Sequence, residues 1–404
     1  MSTTETEPTV TQSKGQYLHG AKDLRLETRT LPAPTDDEVQ VAIRSTTLCG
    51  SDLHYYSHYA NGDILVREPL CLGHESAGEI VNLGASVSSS HPDLKLGDVV
   101  ALEVGVPCGD CSFCQRKRYN ICSSLRFRSS GSKFPHYQGT LQERLNHPAA
   151  WVYKISPELD CETGAMLEPL SVAVQAVRRV PDPPSPSAEG AGTCLIFGAG
   201  AVGLMCSVAA RASGCYSQIV IADIDGQRLQ FARENGFADA IFAVKPRRGA
   251  TVDEKLGIAK DTALEIAGTE WEDGSTVGRV DTTFECTGVE SCIQASIYST
   301  KAGGAIVLVG LGVPNHVIPI SEMMKGEVSL VPSWRYAHTY PRAIEIAKAS
   351  VAGEELDGIK LPDIRKLITH RFTGIDSVED AMKTAGKTSD DKGLLVVKTV
   401  INLE

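Results

Sequence analysis

From Val39 onward the chain runs in short β-branched stretches punctuated by glycine, of which Val39-Gln40-Val41-Ala42-Ile43 and Asp98-Val99-Val100-Ala101-Leu102 are typical, and this texture holds to about Glu168. Short apolar runs bounded by turn residues predict strands, so this part reads as a compact β-domain. Residues 181–192 (PDPPSPSAEGAG) break the pattern. Prolines there remove backbone donors and fix φ, which predicts a surface connection. Five apolar runs follow, Cys194-Leu195-Ile196-Phe197, Ile219-Val220-Ile221-Ala222, Ala240-Ile241-Phe242-Ala243, Thr282-Thr283-Phe284 and Ala305-Ile306-Val307-Leu308-Val309, spaced by helix-compatible stretches. Continuous apolar strands alternating with helices predict a parallel sheet covered on both faces. The charged stretch 245–278 is long for one strand-helix-strand connection and predicts an added surface excursion. After Trp334 the pattern turns mixed and returns the chain to its first domain. The expected division is a disordered polar tail over 1–15, a discontinuous β-rich domain over 16–170 and 334–404, and an α/β domain over 171–333.

Composition narrows the function. A chain of 404 residues, 42% of them hydrophobic, can bury two substantial cores. Its formal net charge of -11 argues against nucleic acid as a partner, since phosphate binding relies on a basic face. No run of about 18 apolar residues occurs, so no membrane span is expected. The polar start MSTTETEPTVTQSKG lacks the basic and apolar regions of a secretory signal. With twelve cysteines and no such signal, metal binding and buried thiols in a reducing cytoplasm are expected in place of a disulfide framework.

Two motifs carry chemistry. Cys108, Cys111, Cys114 and Cys122 crowd four thiols into one loop, the ligand set of a closed, tetrahedral, structural Zn2+ site. Further on, the strand ending at Phe197 runs into Gly198-x-Gly200-x-x-Gly203 and then a helix-compatible run from Leu204 to Ser213. Gly198 permits a tight turn, Gly200 lets the backbone approach a pyrophosphate, and Gly203 lets helix and strand pack closely. The helix N-terminus offers free N–H groups and a favourable dipole to the phosphates. Asp223, twenty positions after Gly203 at the end of the next apolar strand, is placed to accept the ribose hydroxyls of a dinucleotide. Its charge repels a 2′-phosphate and so favours NAD over NADP, while Arg228 stands close enough in sequence to keep NADP open.

Cys49, His74, Glu75 and Glu168 form a second candidate ligand set. As isolated residues they have ordinary alternatives in a core or on a surface. The segments around them, Cys49-Gly50-Ser51-Asp52-Leu53-His54, Gly73-His74-Glu75-Ser76-Ala77-Gly78 and Leu167-Glu168-Pro169-Leu170-Ser171-Val172, resemble the zinc signatures of the medium-chain dehydrogenases, and most closely the polyol group of sorbitol, xylitol and L-arabinitol dehydrogenases. The resemblance covers about Gln16 to Lys398 and includes Glu285-Cys286-Thr287-Gly288, Val309-Gly310-Leu311-Gly312 and Trp334-Arg335-Tyr336.

That resemblance implies a GroES-like catalytic domain interrupted by a Rossmann domain, two zinc ions per subunit, NAD, and a homotetramer. It implies that Cys49, His74 and Glu75 bind a catalytic zinc, with Glu168 acting through water or replacing Glu75, and that Asp52 orients His74. Ser51 and His54 are then the proton path from the substrate hydroxyl, the carbinol hydrogen leaving as hydride to the nicotinamide. Val202, Thr287, Val309, Gly310 and Leu311 join Gly198, Gly200, Gly203, Asp223 and Arg228 along the cofactor. Tyr55, Glu168, Arg335 and Tyr336 stand where polyol enzymes contact substrate hydroxyls, and Phe127 where they place an apolar wall. Residues 128–139 (RSSGSKFPHYQG) and Ala337-His338-Thr339-Tyr340 depart from the mammalian sorbitol pattern, which leaves the preferred polyol open. The expected reaction interconverts a sugar alcohol and its ketose. Alternatives are an L-arabinitol or galactitol dehydrogenase, another zinc-dependent alcohol or threonine dehydrogenase, and a non-catalytic NAD(H)-binding regulator, for which Cys49, Ser51 and His54 would have no use.

Overall fold

The computed structural model describes residues 10–185 and 191–403. By contact the chain divides into two units, Met1–Glu168 with Ile368–Glu404, and Pro169–Leu367.

The first unit is built on a seven-stranded sheet in which Val152–Lys154, Val99–Leu102, Glu75–Leu83, Glu38–Thr47, Lys398–Asn402 and Ile368–Thr373 follow one another. Glu38–Thr47 divides its second edge, pairing with Arg144–Pro148 along residues 38–42 and with Lys398–Asn402 along 45–47. Strand Glu38–Thr47 is buried along most of its length, which explains its nearly continuous apolar and small-polar sequence. A smaller sheet orders Asp23–Leu31, Thr11–Gly20 and Leu70–Cys71.

Residues 11–15, expected in a disordered tail, are the first half of strand Thr11–Gly20. Their low apolar content conceals how they are ordered: buried Ser13 donates its hydroxyl to the Arg144 carbonyl at 2.9 Å, and Gly15 bridges to Gln142. Backbone pairing does what apolar burial does elsewhere. Residues 1–9 of the expected tail lie outside the described residues.

The second unit holds six parallel strands in the order Ala240–Ala243, Tyr216–Asp223, Gly192–Phe197, Val280–Glu285, Thr300–Leu308 and Ser329–Pro332. Numbered along the unit this is 3-2-1-4-5-6, the doubly wound arrangement whose ligand crevice opens at the carboxyl ends of strands one and four. Leu195, Ile196, Val220, Ile221, Phe284, Ile306 and Val307 are wholly buried, as strands covered on both faces require.

The stretch 245–278, expected to include a surface excursion, is one helix, Val252–Ala267, opened by a reciprocal Thr251/Glu254 cap. A turn closed between Glu270 and Thr276 follows it. Trp271, 5% exposed, anchors that turn in the core cluster that also holds Phe197, Val220 and Val280.

The return to the first unit, expected at 334, comes at Ile368. Helix Tyr340–Ala352 buries Ala343, Ile346, Ala347 and Ser350, and its Arg342 donates to the carbonyl of Ala212 at 3.0 Å, so residues 334–367 belong with the α/β unit. Of the proline-rich connection, 186–190 lie outside the described residues, and Gly192 already opens a strand. Among the described residues no helix is long and apolar enough to cross a membrane.

Candidate functional site

Helix Gly50–His58 begins directly after Cys49, which sits in extended backbone at its N-cap. Asp52, in the first turn, is fully buried; its Oδ2 accepts from the Cys49 N–H at 3.2 Å and its Oδ1 from the Gly73 N–H at 2.9 Å. One carboxylate thus ties the helix start to the strand entry that carries His74 and Glu75. As a result Cys49, His74 and Glu75 converge, their ligand atoms all within 4.8 Å of one another. A thiolate, an imidazole and a carboxylate are donors that Zn2+ accepts, so this set fits the metal that the sequence implies.

The surroundings are strongly charged and largely buried. His74 Nδ1 lies 2.9 Å from Ser129 Oγ and 3.3 Å from Asp52 Oδ1, while Nε2 is 3.4 Å from Ser51 Oγ. Burial opposes a charge on His74, but Asp52 and then Cys49 outweigh it and hold its pKa well above the usual imidazole range. Burial likewise raises Asp52, yet the facing imidazole and the two backbone donors bring it net below the usual carboxylate range.

Glu75 is not free. Both of its oxygens meet the ammonium of Lys398, at 2.7 and 2.5 Å, and Oε2 also accepts from the Thr47 hydroxyl. Lys398 is buried, and although burial opposes its charge, Glu75 and Cys49 keep its pKa above the ordinary value.

The other residues expected near the substrate fall as follows. Glu168, buried at the start of helix Leu167–Arg178, stands outside the three-donor group, and its charge acts on both Lys398 and Glu103. Ser51 and exposed His54 share the helix Gly50–His58, with the His54 ring stacked 5.9 Å from His58. Phe127 is buried with its ring 5.5 Å from that of His74. The Tyr55 hydroxyl accepts from the Gly131 N–H at 3.2 Å. Arg335 and Tyr336 lie in the second unit, Arg335 at 5.1 Å over the Trp334 ring and Tyr336 buried with its ring 5.7 Å from Tyr340. Lys398, Thr47 and Ser129 escaped the sequence reading. The one local signal for Lys398 was a charge inside the run Val396-Val397-Lys398-Thr399-Val400-Ile401.

The four-cysteine loop gathers as its spacing suggests. Cys111 and Cys114 Sγ are 3.5 Å apart, as are Cys108 and Cys122, and Cys108 and Cys114 are 3.9 Å apart. A tetrahedron with Zn–S bonds of ~2.3 Å has edges of roughly 3.8 Å, so these thiols fit one zinc ion.

In the second unit, Gly198 has φ +100°, a conformation that L side chains rarely adopt, and a Cβ on Gly203 would strike the Gly198 carbonyl oxygen at 1.9 Å. These two positions fold the strand end back onto helix Ala201–Ala212, whose N-cap, Gly200, supplies no side-chain acceptor and leaves the first N–H groups for a ligand. Asp223 Oδ2 accepts from the Ala199 N–H at 2.6 Å, which locks the turn to the next strand. Arg228 Nε is buried without a hydrogen-bond partner, and its Nη1 lies 3.7 Å from the Cβ position of Gly200. A guanidinium with an unbonded Nε beside a helix N-terminus suits a phosphate group. Across the switch point, buried Glu285 accepts from the N–H groups of Thr287 and Gly288, both at 2.9 Å, and its carbonyl accepts from Val309 and Gly310. Val202 is half-buried in the first turn of the helix, whereas Leu311 is 67% exposed.

Comparison with known proteins agrees with this geometry. Residues 35–157 match the alcohol dehydrogenase GroES-like domain and residues 201–349 the zinc-binding dehydrogenase domain. Sorbitol dehydrogenase of Gallus gallus is 34% identical over 391 residues, covering 96% of each chain. L-arabinitol 4-dehydrogenase of Aspergillus niger is 35% identical over 88% of this chain and 83% of its own length. A solved Escherichia coli oxidoreductase/dehydrogenase of unknown specificity superposes with a TM-score of 0.77 at 26% identity, over 98% of this chain and all of that one. A GroES-like unit with a Cys-His-Glu donor set, a Rossmann unit with a built dinucleotide turn, and relatives matched along nearly the whole chain place this protein in the zinc-dependent medium-chain dehydrogenase family.

Proposed function

We propose that the protein is a zinc- and NAD-dependent polyol dehydrogenase that oxidises a sugar alcohol of the sorbitol or xylitol type to its ketose and catalyses the reverse. The observation that carries this reading is the convergence of Cys49, His74 and Glu75 within 4.8 Å, in a chain whose sorbitol and L-arabinitol dehydrogenase relatives align along most of its length. Zinc at this set supplies Lewis acidity that favours loss of the substrate hydroxyl proton, and NAD supplies the hydride acceptor.

The chain's own groups do the rest. Ser51, whose hydroxyl lies against His74, takes the proton, and exposed His54, one helical turn on, delivers it towards solvent. Phe127 forms the apolar wall. Tyr55, Glu168, Arg335 and Tyr336 pair the remaining hydroxyls, which a desolvated polyol cannot leave unbonded. Asp223 accepts from the adenosine ribose and disfavours a 2′-phosphate. The second metal, at Cys108, Cys111, Cys114 and Cys122, braces the loop and takes no part in the chemistry, and metal analysis of purified protein should return two zinc ions per subunit.

Initial rates with NAD and NADP against sorbitol, xylitol, L-arabinitol and galactitol test the proposal. Turnover of simple secondary alcohols or threonine with none of the four polyols accepted would overturn it.

A further inference from the structure

Arg128-Ser129-Ser130, the start of the segment 128–139, lies against the donor set through Ser129. Ser129 is 3% exposed, and its backbone sits at φ +60°, in the left-handed region that a non-glycine residue occupies only when its surroundings impose it. The imposing residue is its neighbour. Arg128 is buried and donates to the carbonyls of Gln138 and Asn146, with its guanidinium 4.1 Å over the Tyr137 ring. Its Nε and Nη2 also donate to His147 Nδ1 at 3.2 and 3.1 Å, and His147 Nε2 donates in turn to the Glu103 carbonyl at 3.0 Å. A neutral imidazole thus completes the hydrogen bonds of the buried guanidinium. The Arg128 N–H donates to Val104 and the Ser129 N–H to Tyr137, so the backbone is held on both sides of the strained residue.

What the strain achieves is one contact. Ser129 Oγ ends 2.9 Å from His74 Nδ1, closer than Asp52 Oδ1 at 3.3 Å. Asp52 is an acceptor only, which keeps a ring proton on Nδ1; the Ser129 hydroxyl accepts from the same N–H, and Nε2, once it gives up its own proton, presents its lone pair to a metal.

We propose that Ser129, clamped by Arg128, is a positioning residue for His74, fixing the ring's tautomer and plane so that Nε2 faces the ion. The inference rests on the zinc reading above and concerns metal retention as well as turnover.

The test is Ser129→Gly together with Ser129→Ala. Glycine accepts the left-handed backbone without strain and removes the hydroxymethyl group, so the fold is kept; alanine removes the hydroxyl alone and keeps the strain. Zinc affinity is measured by chelator competition, and the absorption of the cobalt-substituted protein reports the ligand field. Both variants should release the metal of the Cys49 site about tenfold more readily, as lost outer hydrogen bonds to metal-bound histidines do, and shift the cobalt bands. The four-cysteine site, whose metal should leave at the wild-type rate, is the internal reference. Wild-type affinity and an unchanged cobalt spectrum in S129G would reduce Ser129 to a loop residue and overturn the proposal. Cys49→Ser separates the two layers: if it differs from wild type while S129G does not, this inference alone falls, and if wild type itself retains no metal there, the zinc reading falls and takes the inference with it.

Discussion

Glu103 is a carboxyl group wholly excluded from solvent in the first unit, its two oxygens accepting from the hydroxyls of Tyr119 at 2.5 Å and Tyr153 at 2.9 Å. Burial is the main force on it, pushing its pKa from 4.5 to about 7 against the help of the two hydroxyls, and the charge of Glu168 adds to the rise. The folded protein therefore holds this proton more tightly than the unfolded chain. Its stabilising contribution is complete below pH 4.5 and is lost as pH climbs through 7. A displacement of that size corresponds to about 3 kcal/mol, with about 2 kcal/mol of it developing between pH 5.5 and 8.5. Glu103→Gln fixes the neutral form and keeps an acceptor for one tyrosine and a donor for the other. Denaturant unfolding of both proteins across that range, followed by tryptophan fluorescence, isolates the term, since Trp151 packs edge-on to Tyr119 with ring centroids 4.9 Å apart. The variant should gain on wild type steadily with rising pH. A stability difference that stays flat from pH 5.5 to 8.5 would refute the claim that Glu103 carries a burial-raised pKa.

In the zinc-free protein Lys398→Met should cost about 3–5 kcal/mol, read as a lowered thermal midpoint, because the Glu75 carboxyl, 1% exposed, loses the ammonium that meets both its oxygens; a zinc-free midpoint within a degree of wild type would contradict the pairing. Asp223→Ser should raise KM for NAD and relax discrimination against NADP, and a wild type that already prefers NADP would show that Asp223 does not set the choice. Arg335→Ala should lower kcat/KM on long polyols by roughly tenfold, the equivalent of about 1.4 kcal/mol of transition-state contact, and hurt simple alcohols less. Equal losses on a long polyol and a short diol, in a variant that keeps its zinc, would exclude a role at the distal hydroxyls.

What the sequence made legible was whatever is written locally. Four cysteines within fifteen positions, a glycine turn between an apolar strand and a helix, and Asp223 at the next strand end are each short-range patterns with one physical use, and the structure gathers the residues of each pattern. Lys398 and Glu75 are 323 positions apart, and neither neighbourhood announces the other. Ser129 could not be found from residue type, because its meaning lies in a backbone angle imposed by Arg128 and in a histidine 55 positions away. Residues 11–15 looked disordered because hydropathy registers apolar burial and is blind to a polar strand held by its ladder. The segment 334–367 was misassigned for a related reason: one amphipathic helix can serve either core, and only its packing on helix Ala201–Ala212 decides which.

The placement of strand Lys398–Asn402 inside the first unit's sheet has a consequence for how the protein is made. The sheet edge it covers, along residues 45–47, leaves the ribosome long before its partner does. At about 5–20 residues per second, the 323 positions between Glu75 and Lys398 correspond to a delay on the order of tens of seconds. Throughout that interval the nascent first unit carries an open strand edge and lacks the ammonium that meets Glu75, while the whole α/β unit emerges and can fold. Slower translation lengthens the exposure of that edge, so the yield of active protein should depend on chaperone capacity and temperature during synthesis more than the stability of the finished fold would suggest.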